Sequence, residues 1–279
     1  MINQGDLALK SNLSNVIKNG VWEEGAVRPV WSDGTPAYTK KVFGVVNHYD
    51  IDEGLPLITL RKTAWKSALK EALWIYQDKS NDVDLLEEKY NVKYWRDWTN
   101  EQGNLGTAYG SRIAQQNKYK EGYFDQIDRL IFDLKNNPYS RRMLTNMYDH
   151  NTLHDMTLYP CAFLTMWDYD GEKLNMSLVQ RSSDFTVAGA INIMSYIFLQ
   201  HMVAQATGYK VGKFVHFINN LHIYDRHLNY ASELIQKESL GTPKLVIDDS
   251  IKNFYDFKPE HFEIENYQHH GTEKLEVAL

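Results

Sequence analysis

The chain has 279 residues, of which 43% are hydrophobic and 24% charged, a composition typical of globular proteins with a substantial buried core. The formal net charge of -6 argues against a DNA- or RNA-binding protein, because such proteins usually carry a surplus of basic residues. The polar N-terminus lacks the apolar run of a signal peptide, and no segment is long and apolar enough to cross a membrane. A single cysteine excludes an intramolecular disulfide, and no Cys and His spacing suits a metal, so we expect a cytoplasmic protein without a metal site.

The first half of the chain predicts two amphipathic helices. Turn residues divide the first 60 residues, which are predicted to be mostly irregular around a strand at 41–46. Residues 62–77 predict a helix, because large apolar residues recur at three to four positions: Trp65, Leu69, Leu73 and Tyr76. Residues 124–134 predict a second helix, which Asn136-Asn137-Pro138 ends.

In the second half the apolar period changes to two, which indicates strands. Asp170-Gly171 suits a hairpin turn between strands at 162–169 and 173–181. Cys161 and Arg181 would then lie at the same end of two paired strands.

The remaining elements complete a mixed fold. Residues 192–207 are apolar almost all round and predict a buried helix ended by Gly208. Further elements are predicted as a strand at 214–224, a helix at 226–236 and a strand at 244–247. Because the chain contains no repeat, low-complexity tract or linker, we predict one α+β domain over residues 1–279.

Cys161, the only cysteine, has two interpretations. A lone thiol in a protein of this length is most often a small buried apolar group. A thiol beside a cation is instead a strong nucleophile, and Arg181 is the candidate neighbour across the hairpin. The residue chemistry alone leaves both interpretations open.

Other polar and aromatic residues offer weaker signals. Several arginines stand at the edges of predicted elements and would bind a phosphate if they converged: Arg28, Arg141, Arg142 and Arg181. Trp95, Trp98 and Tyr109 could stack on a flat heterocycle, although core packing is the commoner use of such side chains. Glu71, a single carboxylate on a predicted helix, is by default a solvated side chain. The spacing of His216 and His222 along a strand does not favour a metal site.

Taken in order, these residues resemble the folate-dependent thymidylate synthases over nearly the whole chain. The matching pieces follow the order of that family: Arg28, residues 66–74 with Glu71, Trp95 to Trp98, residues 105–110 with Tyr109, Ser140-Arg141-Arg142, Pro160-Cys161, Gln180-Arg181-Ser182-Ser183-Asp184, Asn192 and His222-Ile223-Tyr224. The resemblance implies a large twisted mixed sheet packed with helices, with one sheet face at a dimer interface.

The resemblance also implies the chemistry. Cys161 would attack C6 of the pyrimidine of deoxyuridine monophosphate (dUMP), and C5 would then accept a one-carbon unit from 5,10-methylenetetrahydrofolate. The folate ring would supply the hydride that gives the methyl group of thymidine monophosphate (dTMP). Glu71 would organise proton transfer through water, Tyr109 would assist removal of the C5 proton, and Arg181 would serve both phosphate and thiolate.

The binding residues follow from the same resemblance. Asn192 would read the uracil edge, and His222 and Tyr224 would hold the ribose hydroxyl. The other nucleotide-binding residues would be Arg28, Arg141, Arg142, Gln180, Ser182, Ser183 and Asp184. The folate would contact Asp184, Trp95, Trp98 and Ala278. In a two-fold dimer, Arg141 and Arg142 would complete the phosphate site of the partner subunit.

Four places depart from the pattern of the family. Residues 186–191, here called the altered segment, read Thr-Val-Ala-Gly-Ala-Ile in place of Phe-Leu-Gly-x-Pro-Phe. Asn219-Asn220 replaces Gly-Asp, Ala64 replaces a folate-contacting His, and Leu279 is the last residue in place of Val or Ile.

These departures bear on the geometry of the folate site and so on the fate of the methylene group. Two alternative functions are therefore considered beside thymidylate synthesis. The first is a dUMP hydroxymethylase, in which water captures the methylene group. The second is a non-catalytic relative that binds nucleotide or RNA.

Overall fold

The structure is a computed structural model and describes residues 3–279. Within these residues the helices are α1 (Gln4–Asn19), α2 (Trp65–Tyr76), α3 (Val83–Tyr90), α4 (Gly110–Ala114), α5 (Gln126–Asn136), α6 (Gly189–Thr207) and α7 (Leu228–Gln236). The strands are β1 (Val21–Glu23), β2 (Thr39–Asp50), β3 (Asn117–Tyr119), β4 (Gly122–Phe124), β5 (Leu144–Asn146), β6 (Ala162–Tyr169), β7 (Lys173–Asp184), β8 (Lys210–Tyr224), β9 (Lys244–Ile247) and β10 (Phe262–Glu265).

A six-stranded mixed sheet organises the fold. Its strand order is β1-β2-β8-β7-β6-β5, and only the β7–β8 pair among these neighbours is parallel. The connection between those two parallel strands is α6, as a parallel crossover requires. Helix α6 packs on β7 and β8, and α2 packs on α6, so the main core lies on one side of the sheet. The predicted α+β class and large mixed sheet are confirmed.

The hairpin and the buried helix are also confirmed. Strands β6 and β7 pair on either side of Asp170-Gly171, and β7 continues to Asp184. Helix α6 is buried almost all round and starts three residues earlier than predicted. Gly208 ends it at a φ of +82°, a left-handed conformation that glycine adopts without a steric penalty.

The prediction that the first 60 residues are mostly irregular is wrong. Asn3 caps α1 by accepting from the N–H groups of Gly5 and Asp6, and Leu9, Leu13 and Val16 bury one side of that helix. The apolar period was present in the sequence, but polar residues surround it. Strand β2 is also twice the predicted length, because β8 pairs with it from Thr39 to Asp50. The short helix α3 was not predicted.

The face of the sheet turned away from α6 carries a row of apolar side chains. The strand registers place Leu164 beside Val179, Val179 beside Phe217 and Phe217 beside Val46. A parallel row follows, in which Leu144 lies beside Met166. Leu144, Met166 and Val46 are 48%, 43% and 47% exposed. This outer row is therefore an apolar surface that the described chain does not cover.

Candidate active site

Cys161 immediately precedes β6 and faces Arg181 on β7. The Arg181 backbone N–H donates to the Cys161 carbonyl at 2.8 Å, and the Arg181 Nη2 lies 3.5 Å from the Cys161 Sγ. The same guanidinium donates to the carbonyls of Pro160 at 3.0 Å and Tyr159 at 2.6 Å. Arg181 therefore holds the backbone of residues 159–161 and also touches the Cys161 sulfur. The prediction that these two residues meet at one end of the hairpin is confirmed.

Opposing effects act on the thiol. Burial raises the pKa of Cys161, and the positive charges of Arg181 and Arg28 oppose that rise. Burial therefore favours the neutral thiol, and the two arginines are the groups that favour its ionisation.

Glu71 is buried, with only 6% of its surface exposed, so the default expectation of a solvated side chain is wrong. The Tyr94 hydroxyl donates to Glu71 Oε2 at 2.5 Å, and the Trp95 Nε1–H donates to the same oxygen at 2.8 Å. Burial nevertheless raises the pKa of Glu71, and the two hydrogen bonds only partly oppose it. A buried carboxyl with a raised pKa can exchange protons near neutral pH.

Tyr109 packs edge-on against Trp95, with 4.8 Å between ring centroids. Its backbone has a φ of +50° and a ψ of -115°, a conformation that costs energy for any residue with a Cβ. Gly110 follows and passes so close to Ser80 that a Cβ would lie 2.1 Å from the Ser80 carbonyl oxygen. The strained turn is therefore held by close backbone contact, and burial raises the pKa of Tyr109 well above its usual range.

A small cavity brings three of the four predicted catalytic residues together, and the fourth, Arg181, contacts Cys161 without lining the cavity. Glu71, Tyr109, Cys161, Asn192 and Trp95 all line it, although they come from five separate parts of the chain. Its other lining residues are Ala72, Ile75, Tyr76, Ala162, Ser195 and Tyr196.

Tyr94 contacts the candidate site, but the sequence did not indicate it, because only the fold brings its hydroxyl to Glu71. Tyr196 was missed for the same reason: its hydroxyl donates to the Ala162 carbonyl at 3.2 Å.

Residues near the C-terminal end of β7 include several predicted nucleotide ligands. Gln180 is buried and donates from Nε2 to Asn192 Oδ1 at 3.1 Å. Ser183 is also buried, and its Oγ has no hydrogen-bond partner within residues 3–279. Ser182 is half-buried. Asp184 Oδ1 accepts from the N–H groups of Thr186 and Val187, both at 3.1 Å, and so fixes the start of the altered segment.

His222 and Tyr224 lie together at the end of β8, with ring centroids 5.3 Å apart. Asn220 Oδ1 lies 3.0 Å from His222 Nδ1, so Nδ1 carries the hydrogen and Nε2 is left as an acceptor. Burial lowers the pKa of His222, which keeps that acceptor unprotonated. The Asn219-Asn220 departure thus supplies the side chain that orients His222.

Of the four arginines, Arg28 and Arg181 lie close enough to Cys161 for their charges to lower its pKa. Arg28 is exposed in the loop between β1 and β2, and its positive charge lowers the pKa of Cys161. Arg141 and Arg142 are exposed just before β5, the edge strand next to the outer row. Neither forms an ion pair with a carboxylate in the described part of the chain.

The residues predicted to contact the folate differ in how far they are exposed to solvent. Trp95 is buried and its N–H is already bonded to Glu71, whereas Trp98 is half-buried 6.1 Å from the Trp95 ring. Arg61 Nη2 donates to the Val187 carbonyl at 2.5 Å and so braces the altered segment. Ala278 lies in a C-terminal strand-like end, where Leu279 exchanges two backbone hydrogen bonds with Val30.

No group of three or more His, Cys, Asp or Glu side chains within residues 3–279 is arranged to hold a metal ion. No helix over the same residues is long and apolar enough to cross a membrane.

Comparisons with known proteins agree with this geometry. The thymidylate synthase family model matches residues 8–279. A thymidylate synthase of Streptococcus pneumoniae (strain 70585) is 43% identical over 273 residues, covering 95% of each chain. One from Bacillus mojavensis is 40% identical over 279 residues, covering 99% of each chain. The solved structure of the thermostable thymidylate synthase A from Bacillus subtilis superposes with a TM-score of 0.94 at 38% identity, covering 98% of this chain and 99% of that one.

Proposed function

The chain belongs to the thymidylate synthase family, and we propose that Cys161 is the nucleophile through which it carries out the reaction of that family. Its function is thymidylate synthesis, the methylation of dUMP to dTMP, and it is accordingly a methyltransferase. The observation that supports the assignment of residues is that Cys161, Glu71, Tyr109 and Asn192 line one cavity, while Arg181 contacts the Cys161 sulfur.

Arg181 and Arg28 activate the nucleophile. Their charges favour the thiolate that burial disfavours, and the thiolate adds to C6 of the pyrimidine. The addition breaks the C5–C6 double bond and makes C5 a carbon nucleophile. Arg181 holds Tyr159, Pro160 and Cys161 in one geometry, so the sulfur approaches the ring from a fixed direction.

Glu71 and Tyr109 are proposed to handle the protons. The raised pKa of Glu71 suits a group that gains and loses a proton during the reaction, either directly or through water. Tyr94 and Trp95 hold one carboxyl oxygen and leave the other free towards the cavity. Tyr109 has a raised pKa and keeps its phenol proton, so it acts as a donor that positions the water or base which removes the C5 proton.

The remaining nucleotide contacts are proposed on chemical grounds. Asn192 faces the cavity with an amide that can accept from N3–H and donate to O4 of uracil. His222 Nε2 would accept from the ribose hydroxyl, beside Tyr224. Arg28, Ser182, Ser183 and Asp184 remain proposed ligands of the nucleotide, and Gln180 is discussed below.

A homodimer is proposed because the outer row is apolar and uncovered. Two copies that pack these faces together would bury Leu164, Val179 and Phe217 of each subunit between the two sheets. Each subunit would keep its own hydrophobic core on the other side of its sheet. Arg141 and Arg142 stand at the edge of that face without a carboxylate partner in the described chain. Across a two-fold axis they would supply positive charge to the phosphate site of the other subunit.

The residues present fit 5,10-methylenetetrahydrofolate as the co-substrate, with Trp98 offering a half-buried aromatic edge beside the cavity. When bound, this co-substrate supplies the one-carbon unit and the hydride. Asp184, Trp95 and Ala278 are proposed to complete its site, and the brace from Arg61 to Val187 gives the altered segment a fixed shape there. The free thiol of Cys161 needs reducing surroundings, which supports the proposal of a cytoplasmic location.

The test is release of dihydrofolate. Purified protein given dUMP and 5,10-methylenetetrahydrofolate should raise the near-ultraviolet absorbance as dihydrofolate forms, and dTMP should appear in equal amount. Cys161→Ser should abolish both signals and leave dUMP binding largely intact. A hydroxymethylase would leave tetrahydrofolate unoxidised, so hydroxymethylated product without dihydrofolate would contradict the proposal.

A further inference from the structure

His216 is a buried residue that the proposed reaction does not use, yet it is connected to the base-reading amide. It lies on β8, fully shielded from solvent, and its Nε2 is 2.8 Å from Gln180 Oε1 on the neighbouring strand β7. Gln180 in turn donates to Asn192 Oδ1 at 3.1 Å. Three polar side chains thus form a chain of hydrogen bonds from the interior of the sheet to the cavity.

The Ser182 carbonyl determines which group donates and which accepts in each of these hydrogen bonds. Gln180 Nε2 lies 2.9 Å from the Ser182 carbonyl, which can only accept, so this end of the Gln180 amide must be the NH2 group. Its second hydrogen then points to Asn192, whose oxygen must face it. The other end of the Gln180 amide is the oxygen, so His216 must present an N–H from Nε2.

The neutral form of His216 makes this arrangement stable. Burial lowers the pKa of His216 to about 3, so the ring carries one proton at neutral pH. That proton is on Nε2, and Nδ1 has no hydrogen-bond partner within the described residues. Both hydrogens and the oxygen of the Gln180 amide have hydrogen-bond partners. A flip of the Gln180 or the Asn192 amide would therefore bring two donors or two acceptors together in the interior.

We propose that His216 is a positioning residue for base specificity: through Gln180 it fixes the orientation of the Asn192 amide that selects uracil over cytosine. Uracil offers a donor at N3 and an acceptor at O4, whereas cytosine offers an acceptor at N3 and a donor at N4. An Asn192 amide that could rotate by half a turn would match either base. The inference rests on the proposed function, since it requires Asn192 to face the pyrimidine.

The experiment measures binding of dUMP and of deoxycytidine monophosphate (dCMP) to the full-length protein by calorimetry. His216→Leu removes the donor and frees the Gln180 oxygen, so the preference for dUMP over dCMP should fall about tenfold. His201→Leu is the control: His201 is a half-buried histidine on α6, bonded to the Ile197 carbonyl at 2.9 Å and outside the cavity. Its loss should lower stability without changing the preference.

His216→Gln keeps an N–H donor and should restore most of the preference, which a purely structural role would not predict. If His216→Leu folds and its dUMP to dCMP preference equals that of the wild type, the proposal is wrong. If that variant does not fold, nitrogen NMR of the wild-type histidine rings decides: hydrogen on Nε2 of His216 supports the proposal, and hydrogen on Nδ1 overturns it.

The result is independent of the test of the reaction itself. A changed preference without dihydrofolate release would support the role of His216 and contradict the reaction. Dihydrofolate release with an unchanged preference would do the opposite.

Discussion

Glu71 is the residue whose environment differs most from what its sequence position suggests. A carboxyl group on an amphipathic helix is normally solvated, but α2 turns Glu71 towards Tyr94 and Trp95. Their side chains supply the two hydrogen bonds that the carboxyl group receives in place of water. Because burial raises the pKa of Glu71, the folded protein binds a proton there more tightly than the unfolded chain does. The stability from this group is therefore complete at low pH and is lost as pH rises through the raised pKa.

We predict opposite effects of Glu71→Gln on activity and stability. Turnover should fall roughly 100- to 10,000-fold, the usual contribution of a positioned acid or base. The unfolding temperature should exceed that of the wild type, by a margin that grows as pH rises from the ordinary pKa of a glutamate through the raised pKa of Glu71, because the neutral amide avoids the buried charge.

Steady-state kinetics measure the turnover, and calorimetry at several pH values measures the unfolding temperature. Glu88→Gln, which alters an exposed carboxylate on α3, should change neither quantity. A Glu71→Gln enzyme with wild-type turnover would remove Glu71 from the proton transfers.

At the scale of elements, Arg226 ties together three segments around the proposed nucleotide site. It lies in the turn between β8 and α7, where Nη1 binds Glu276 at 2.8 Å and Nη2 binds Asp33 at 2.7 Å. Its guanidinium also lies 4.7 Å from the centre of the Trp31 ring. Arg226 thus connects the loop that carries Arg28 to the C-terminal segment that carries Ala278. Single exposed ion pairs stabilise little, but one rigid guanidinium with two carboxylates and an aromatic ring forms a network.

Replacing Arg226 should therefore loosen the C-terminus without unfolding the protein. Arg226→Ala should increase the rate of carboxypeptidase digestion about fivefold or more, because digestion follows the population of the undocked segment.

Arg129→Ala is the matched control, since Arg129 also binds two carboxylates, Glu121 and Asp133, but far along the chain from the tail. Equal digestion rates in the two variants would show that the two backbone bonds of Leu279 suffice to hold the segment.

For the whole molecule, the outer row is the proposed dimer surface. Val179 lies at the middle of this row, between Leu164 and Phe217. Val179→Asp should convert the proposed dimer to monomers, because a buried unpaired charge at the centre of an interface is strongly unfavourable. Light scattering coupled to size exclusion measures the mass, and Leu7→Asp, at an exposed leucine on α1, should leave the dimer intact. A dimer that survives Val179→Asp would place the interface elsewhere.

Shared sites have a separate test at the same scale. Cys161→Ser and Arg142→Ala should each be nearly inactive, but their mixture should regain about a quarter of the wild-type activity, because each mixed dimer has one intact site. Cys161→Ser mixed with Glu71→Gln should regain none, since Cys161 and Glu71 line the cavity within one subunit.

The sequence by itself determined the elements with a strong local period and singled out Cys161 as the proposed nucleophile. Helix α2, the hairpin of β6 and β7 and the buried helix α6 were predicted within a few residues, because their apolar patterns and turn residues are local. Helix α1 was missed because its apolar side is narrow among polar residues, and its burial depends on packing against β2 and α7. Motifs in family order identified Cys161, Arg181 and Asn192, whereas residue chemistry alone could not separate a nucleophile from a buried thiol.

Only the tertiary structure decided how those residues work. The burial of Glu71 depends on Tyr94 and Trp95, more than twenty positions away along the chain. The orientation of Asn192 depends on Gln180 and His216, which meet because β7 and β8 are parallel neighbours. The physical reason is common to both. Desolvation and hydrogen bonding set a pKa and an amide orientation, and both depend on neighbours that the chain brings together only when it folds.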